Sequence, residues 1–95
     1  MKPIAISPPA QSDLLHIWLH IAENNERAAD RTLDKINQRL ELLAQFRELG
    51  TPVEALGANI RFSPVLPYVI YYRPKEEGIE ILRILHGGRS VEELI

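Results

Sequence analysis

Cysteine is absent from the 95 residues, which excludes disulfide stapling, a thiolate nucleophile and the usual closed zinc sites. Aromatic side chains make up only 6% of the chain, and the single tryptophan, Trp18, falls on a helical apolar stripe, where core packing against a sheet is expected and not a stacking platform. No apolar run approaches the ~20 residues that cross a bilayer, and the first residues lack the basic, apolar and small-residue pattern of a secretory signal. The default expectation is therefore a soluble cytoplasmic protein without a membrane partner. Neither sign of charge dominates: 11 Lys and Arg stand against 13 Asp and Glu, for a net charge of −2. That balance argues against a protein that holds nucleic acid by neutralising phosphates. A chain of this length makes one small domain, residues 1–95, and buries roughly 60–68% of its unfolded surface. It has room for one core but not for a deep, walled cavity.

Ile4, Ala5 and Ile6 form a short β-compatible stretch that stops at Pro8 and Pro9. Ser7 is a good N-cap, and proline at the first helical position gives up only an amide that had no partner. A helix is predicted from Pro8 to Ala22, with Leu14, Ile17, Trp18 and Ile21 in one buried stripe and Leu15, Leu19 and Ala22 widening it. Gln11, Ser12, Asp13, His16, His20 and Glu23 are left as its polar side. Asn24 and Asn25 break the pattern and cap a second helix, predicted from Glu26 to Leu49. There Ala29, Leu33, Ile36, Leu40, Leu43 and Phe46 recur at spacings of three and four. Gly50 is expected to supply a left-handed C′ position, and Pro52 blocks continuation. Two amphipathic helices with so short a connection make an antiparallel hairpin.

From Gly50 onward the periodicity changes. Residues 50–58 read as a loop, Ile60 to Phe62 as a strand ending at Ser63 and Pro64, and Tyr68 to Arg73 as a β-branched and aromatic strand. Pro74 to Gly78 make a charged turn, and Ile79 to His86 form the last strand. Ser90 and Glu93 are spaced as a capping box, so Val91 to Ile95 are expected to form a helical turn. The expectation is an α+β fold in the order β-α-α-β-β-β: an N-terminal strand, a helical hairpin, then a three-stranded antiparallel sheet. Under strict alternation Tyr68, Ile70 and Tyr72 share one face of their strand, with Val69, Tyr71 and Arg73 on the other. In the last strand Ile79, Ile81, Arg83 and Leu85 oppose Glu80, Leu82, Ile84 and His86. Both faces are then largely apolar, while one hairpin covers only one of them. The uncovered face reads as a surface for a second polypeptide, with fold-back of Val91, Leu94 and Ile95 over it, or self-association, as the alternatives.

The chemistry-bearing residues form no obvious site. His16 and His20 stand i, i+4, but Ile17 occupies the position where a zincin has glutamate, and no third ligand completes a metal centre. Arg61, Arg83, His86 and Arg89 are the groups that could handle a phosphodiester, arginine stabilising charge and histidine moving protons. Arg83 and His86 lie three apart on one strand and point to opposite faces. Residues 59–95 also balance five basic side chains against five glutamates, so no basic field holds RNA. Gly87 and Gly88 lack the strand–loop–helix frame of a phosphate cradle. No cofactor is implied.

Across nearly the whole chain the pattern resembles the ParE branch of the ParE/RelE toxin superfamily of bacterial type II toxin–antitoxin modules. The likeness is carried by Ile6-Ser7-Pro8 with Ala10, Asp13, Leu14, Ile17 and Trp18, and then by the long second helix. Arg61 ahead of Tyr68-Val69-Ile70-Tyr71-Tyr72, and Ile81-Leu82-Arg83-Ile84-Leu85-His86 with Gly87 and Arg89, complete it. The resemblance implies a helical hairpin on a curved antiparallel sheet and a cognate ParD-like antitoxin in a hetero-oligomer. It also implies inhibition of DNA gyrase by trapping of its cleaved-DNA state, which asks no chemistry of the toxin. On this expectation the partner surface involves Leu33, Ile36 and Leu40 of the long helix with Val69, Tyr71, Arg73, Leu82, Arg83, Ile84 and Arg89. The RelE branch instead cleaves mRNA on the ribosome. That alternative would use Arg61, His86 and Arg89, but the chain has no tyrosine after Tyr72 and no lysine between Lys35 and Lys75. A degenerate, non-toxic relative that only completes an antitoxin complex is the third expectation.

Overall fold

The computed structural model describes residues 2–57 and 59–87. In order, the chain forms β1 (Ile4–Ile6), α1 (Pro8–Ala22), α2 (Glu26–Gln45), β2 (Thr51–Pro52), a single 3-10 turn at Glu54–Leu56, β3 (Arg61–Val65), β4 (Tyr68–Pro74) and β5 (Ile79–His86). The fold is α+β as expected, but its sheet has five strands in the order β1-β5-β4-β3-β2, and β1 runs parallel to β5. The three-stranded antiparallel expectation fell short at both edges: pairing of β1 with the distant β5 leaves no local trace, and β2 is only two residues long.

The helix starts follow local chemistry. The Ser7 hydroxyl accepts from the Ala10 amide and the Asn25 side chain from the Ala28 amide, so each helix opens on a side-chain cap. α2 ends at Gln45, four residues before the expected Leu49, because Phe46 leaves helical geometry. Gly50 is not left-handed either; among the described residues the positive-φ glycines are Gly57 and Gly78. What demands glycine at position 50 is proximity, since a Cβ there would stand 2.5 Å from the Tyr72 hydroxyl oxygen and 2.8 Å from the Phe62 carbonyl oxygen.

Two further boundaries moved. β3 runs on through Pro64, which the sheet tolerates because β2 pairs only with Arg61 and Phe62, leaving an edge beside the proline. Thr51 and Pro52, read as loop, pair with Phe62 and Arg61. The β3–β4 hairpin turns at Leu66 and Pro67, joined by a cis peptide bond. Both outer strands are very short and carry proline in or beside them, which blunts the sheet edges against further pairing.

Between β4 and β5 the ladder skips Leu82: Tyr71 pairs with Arg83 and Tyr72 with Ile81. This bulge reverses the alternation of β5 and overturns the strict two-face reading. Ile79, Ile81 and Ile84 thereby all join Tyr68, Ile70 and Tyr72 in one core with Ile17, Ile36, Leu40 and Leu43 from the helices. The reverse face is not the open apolar sheet expected, since Tyr71 is 7% and Leu85 3% exposed. Phe62 lies against Tyr71, and Glu80 pairs with Arg73 and Lys75. On α1, Leu15 and Leu19 are exposed and do not widen the buried stripe. Trp18 is half-buried and ties the hairpin together by donating its indole N–H to Asp30 at 2.8 Å, a different role from packing on the sheet.

Candidate functional site

β1 pairs with β5 only as far as Ile81, and α1 takes over the main-chain edge beyond it. The Ser7 hydroxyl donates to the Leu82 carbonyl at 2.9 Å. Asp13, one turn into α1, accepts the Ile84 amide at 2.9 Å and both Nε and Nη2 of Arg83 at 2.8 Å. A carboxylate thus stands in for a neighbouring strand and holds the arginine in a two-point pair. Beside it lies a groove of about 290 Å³ between α1 and the ends of β4 and β5, and all three histidines, His16, His20 and His86, line it. The His86 ring meets Tyr68 edge-on at 5.8 Å between centroids. Among the described residues no three potential ligands gather closely enough to hold a metal ion.

A second polar node sits across the sheet. The Tyr72 hydroxyl donates to the Arg47 carbonyl at 2.9 Å and accepts the Gly50 amide at 2.8 Å. Arg61, the ladder partner of Tyr72, donates from Nη1 to the Glu48 and Gly50 carbonyls at 3.1 and 2.6 Å. Its Nε is buried without a hydrogen-bond partner. Together the two side chains fasten the segment that follows α2 to the sheet. Burial pushes the Tyr72 hydroxyl above its usual range, opposed by the Gly50 amide and the Arg61 charge; burial alone raises Tyr71.

Of the residues read as able to process a phosphodiester, Arg61 stands apart, while Asp13, which holds Arg83, lines the same groove as His86. Arg61 shares the core face with Tyr72, Arg83 pairs with Tyr71 on the reverse face, and His86 pairs with Tyr68 on the core face. Arg89 lies outside the described residues, as does the expected turn from Val91 to Ile95. Of the residues read as facing a partner, Ile36, Leu40 and Ile84 are core. They are corrected on that account, since a side chain buried in its own chain has no surface to offer. Leu33 packs partly buried against that core; Val69 and Leu82 are half-buried. Tyr71 is buried, Arg73 pairs with Glu80, and Arg83 is bound to Asp13.

Asp13 was read as part of a polar helix side. The one available signal was that Pro8–Ala22 contains no other acid and no Lys or Arg, so its partner had to come from elsewhere. Nothing local marks the Tyr72 hydroxyl as an anchor.

A family model described as ParE toxin of type II toxin-antitoxin system, parDE, matches residues 4–91. Toxin ParE1 of Caulobacter vibrioides is 33% identical over 92 residues, covering 95% of this chain and 94% of the relative. Toxin RelE3 of the same organism is 33% identical over 91 residues, covering 92% and 96%. Among solved structures, a chain from the chromosomal ParDE TA system of P. aeruginosa superposes with a TM-score of 0.72 at 23% identity, covering 90% of this chain and 96% of that one. The matched residues run from β1 through β5, and the chain belongs to the ParE toxin family of type II toxin–antitoxin systems.

Proposed function

We propose that this ParE-family toxin acts in the cytoplasm by binding DNA gyrase and trapping its cleaved-DNA state, and that a ParD-like antitoxin neutralises it in a hetero-oligomer. The observation that carries the reading is that Arg61 and Arg83 are both bonded within the chain itself, one to two carbonyls and one to Asp13. They also stand on opposite faces of the sheet, so these two cations are not poised together around one phosphodiester. Trapping needs no such chemistry. A protein that binds the cleaved intermediate ~10⁴-fold better than the resealed one, about 5.5 kcal/mol, moves it from one part in a hundred to dominance.

Purified chain added to gyrase, ATP and supercoiled plasmid is expected to raise the yield of linear, protein-linked DNA. Unchanged supercoiling and religation at molar excess overturns the target. The likeness to Toxin RelE3 favours one second reading, ribosome-dependent mRNA cleavage. It requires cuts in translated mRNA that Arg61→Ala or Arg89→Ala abolishes.

A further inference from the structure

The charges of α2 cancel in sum but are segregated in space: Glu26, Asp30, Asp34 and Glu41 stand against Arg27, Arg31, Lys35 and Arg39. Two interactions fix how the helix is turned. The Trp18 indole donates to Asp30, so that side faces α1, while Arg39 donates from Nη1 to the Ser63 hydroxyl and the Pro64 carbonyl, so the opposite side faces β3. At about 100° per residue, Glu26, Asp34 and Glu41 fall on the side of Asp30. Arg31, Lys35, Leu42 and Phe46 fall between the outward line of the helix and Arg39, and Arg27 stands near that line. Arg31 and Lys35 are exposed, as are Leu42 at 39% and Phe46 at 58%. The β3 side of α2 is therefore a ridge, basic in its first half and apolar in its second. β3 itself, Arg61–Val65, adds no carboxylate beneath it. The two acceptors of Arg39 are uncharged and leave its charge in place. Among the described residues neither Arg31, Lys35 nor Arg39 is in an ion pair, not even with Asp34, the acid one turn from Arg31. At the Phe46 end Arg47 and Glu48 offset each other, so the charge of the ridge is set by its three cations.

We propose that this ridge is a docking site for an acidic amphipathic helix of a protein partner, its carboxylates against Arg31, Lys35 and Arg39 and its aliphatic side chains against Leu42 and Phe46. Complementary charge selects the sign of the partner and speeds encounter. The exposed leucine and phenylalanine supply apolar area that a partner carrying only charge would leave in water. The same division disfavours nucleic acid, since half of the ridge offers a phosphate nothing and the whole chain has a net charge of −2. A helix also matches the ridge in form, because it can present carboxylates on its first turns and leucines on its last along one face. The site stands on this placement alone and depends on neither the gyrase nor the antitoxin reading.

The test uses the full chain and two labelled helical peptides about four turns long, each with leucines at one end of one face and either glutamates or lysines at the other, followed by fluorescence anisotropy. The leucine–glutamate peptide is expected to bind and the leucine–lysine peptide not to. The combined Arg31→Glu and Lys35→Glu variant should weaken binding about thirtyfold and flatten its salt dependence. The combined Leu42→Gln and Phe46→Gln variant should weaken it about tenfold. Asp34→Asn with Glu41→Gln, on the α1 side of the same helix, should change it by no more than about twofold. All six residues are exposed, so the variants keep the fold, which circular dichroism checks. Equal binding of the two peptides, or an unchanged affinity in the Arg31→Glu and Lys35→Glu variant, overturns the proposal. So does a short single-stranded oligonucleotide that displaces the acidic peptide, or a concentration-dependent dimer that the same variant abolishes, because the occupant would then be nucleic acid or a second copy.

Discussion

Asp13 on α1 and Arg83 on β5, 70 positions apart, meet in a two-point ion pair that also closes the main-chain edge of β5 at the Ile84 amide. The pair is largely removed from water, with side-chain exposures of 12% and 26%. Its loss therefore strands two kinds of group at once, a guanidinium and a backbone donor.

Asp13→Ala is expected to lower stability by about 3 kcal/mol in urea unfolding. Asp13→Asn, which keeps an acceptor for the Ile84 amide, should cost about 1 kcal/mol less. Equal losses would mean that the amide contact contributes nothing.

Tyr72→Phe removes the acceptor of the Gly50 amide and the donor to the Arg47 carbonyl. The expected cost is about 1–3 kcal/mol. Gly50→Ala drives a methyl group into the same hydroxyl and should cost about 1–3 kcal/mol by overpacking. The two should be less than additive when combined, because removing the hydroxyl gives the methyl part of its room.

Tyr71 and Tyr72 both titrate above the ordinary tyrosine range in the folded chain, chiefly because burial disfavours the phenolate. A raised acid binds its proton more tightly in the folded state than in the unfolded one. The contribution is complete below the unfolded value of about 10 and is lost as pH rises through the folded values. Urea midpoints should hold steady to about pH 9 and fall beyond about pH 10, and Tyr71→Phe should reduce that fall.

Leu15 and Leu19 share the helical spacing of the core residues but are exposed. Replacing both with glutamine should change stability by no more than about 0.5 kcal/mol per site. Ile36→Ala, at a fully buried position, should cost about 2–5 kcal/mol by thermal or urea unfolding. A large loss at Leu15 would return it to the core.

Much of the fold was legible because it is written in short-range terms. Ser7 with two prolines sets the start of α1, Asn25 that of α2, and Ile79 to His86 reads as a strand by composition alone. The face assignments failed where one residue breaks a period. The Leu82 bulge moves Ile84 from the surface reading into the core, and no local propensity announces a bulge. The candidate site was only half legible. Arg61, Arg83 and His86 stood out as chemical types, while the partners that define their roles (Asp13, and the carbonyls of Glu48 and Gly50) are distant in sequence or belong to the backbone.

By itself the sequence determined the two helices, their capped starts, the run of β-strands and, through the order of its motifs, the family. Those follow from periodicity, capping and turn chemistry, which act over a few residues. Only the tertiary structure decided that β1 lies beside β5, which side chains fill the core and that the arginines are bonded to their own chain. Each of these depends on contacts between residues tens of positions apart, whose energies are settled by packing the whole sheet against the hairpin.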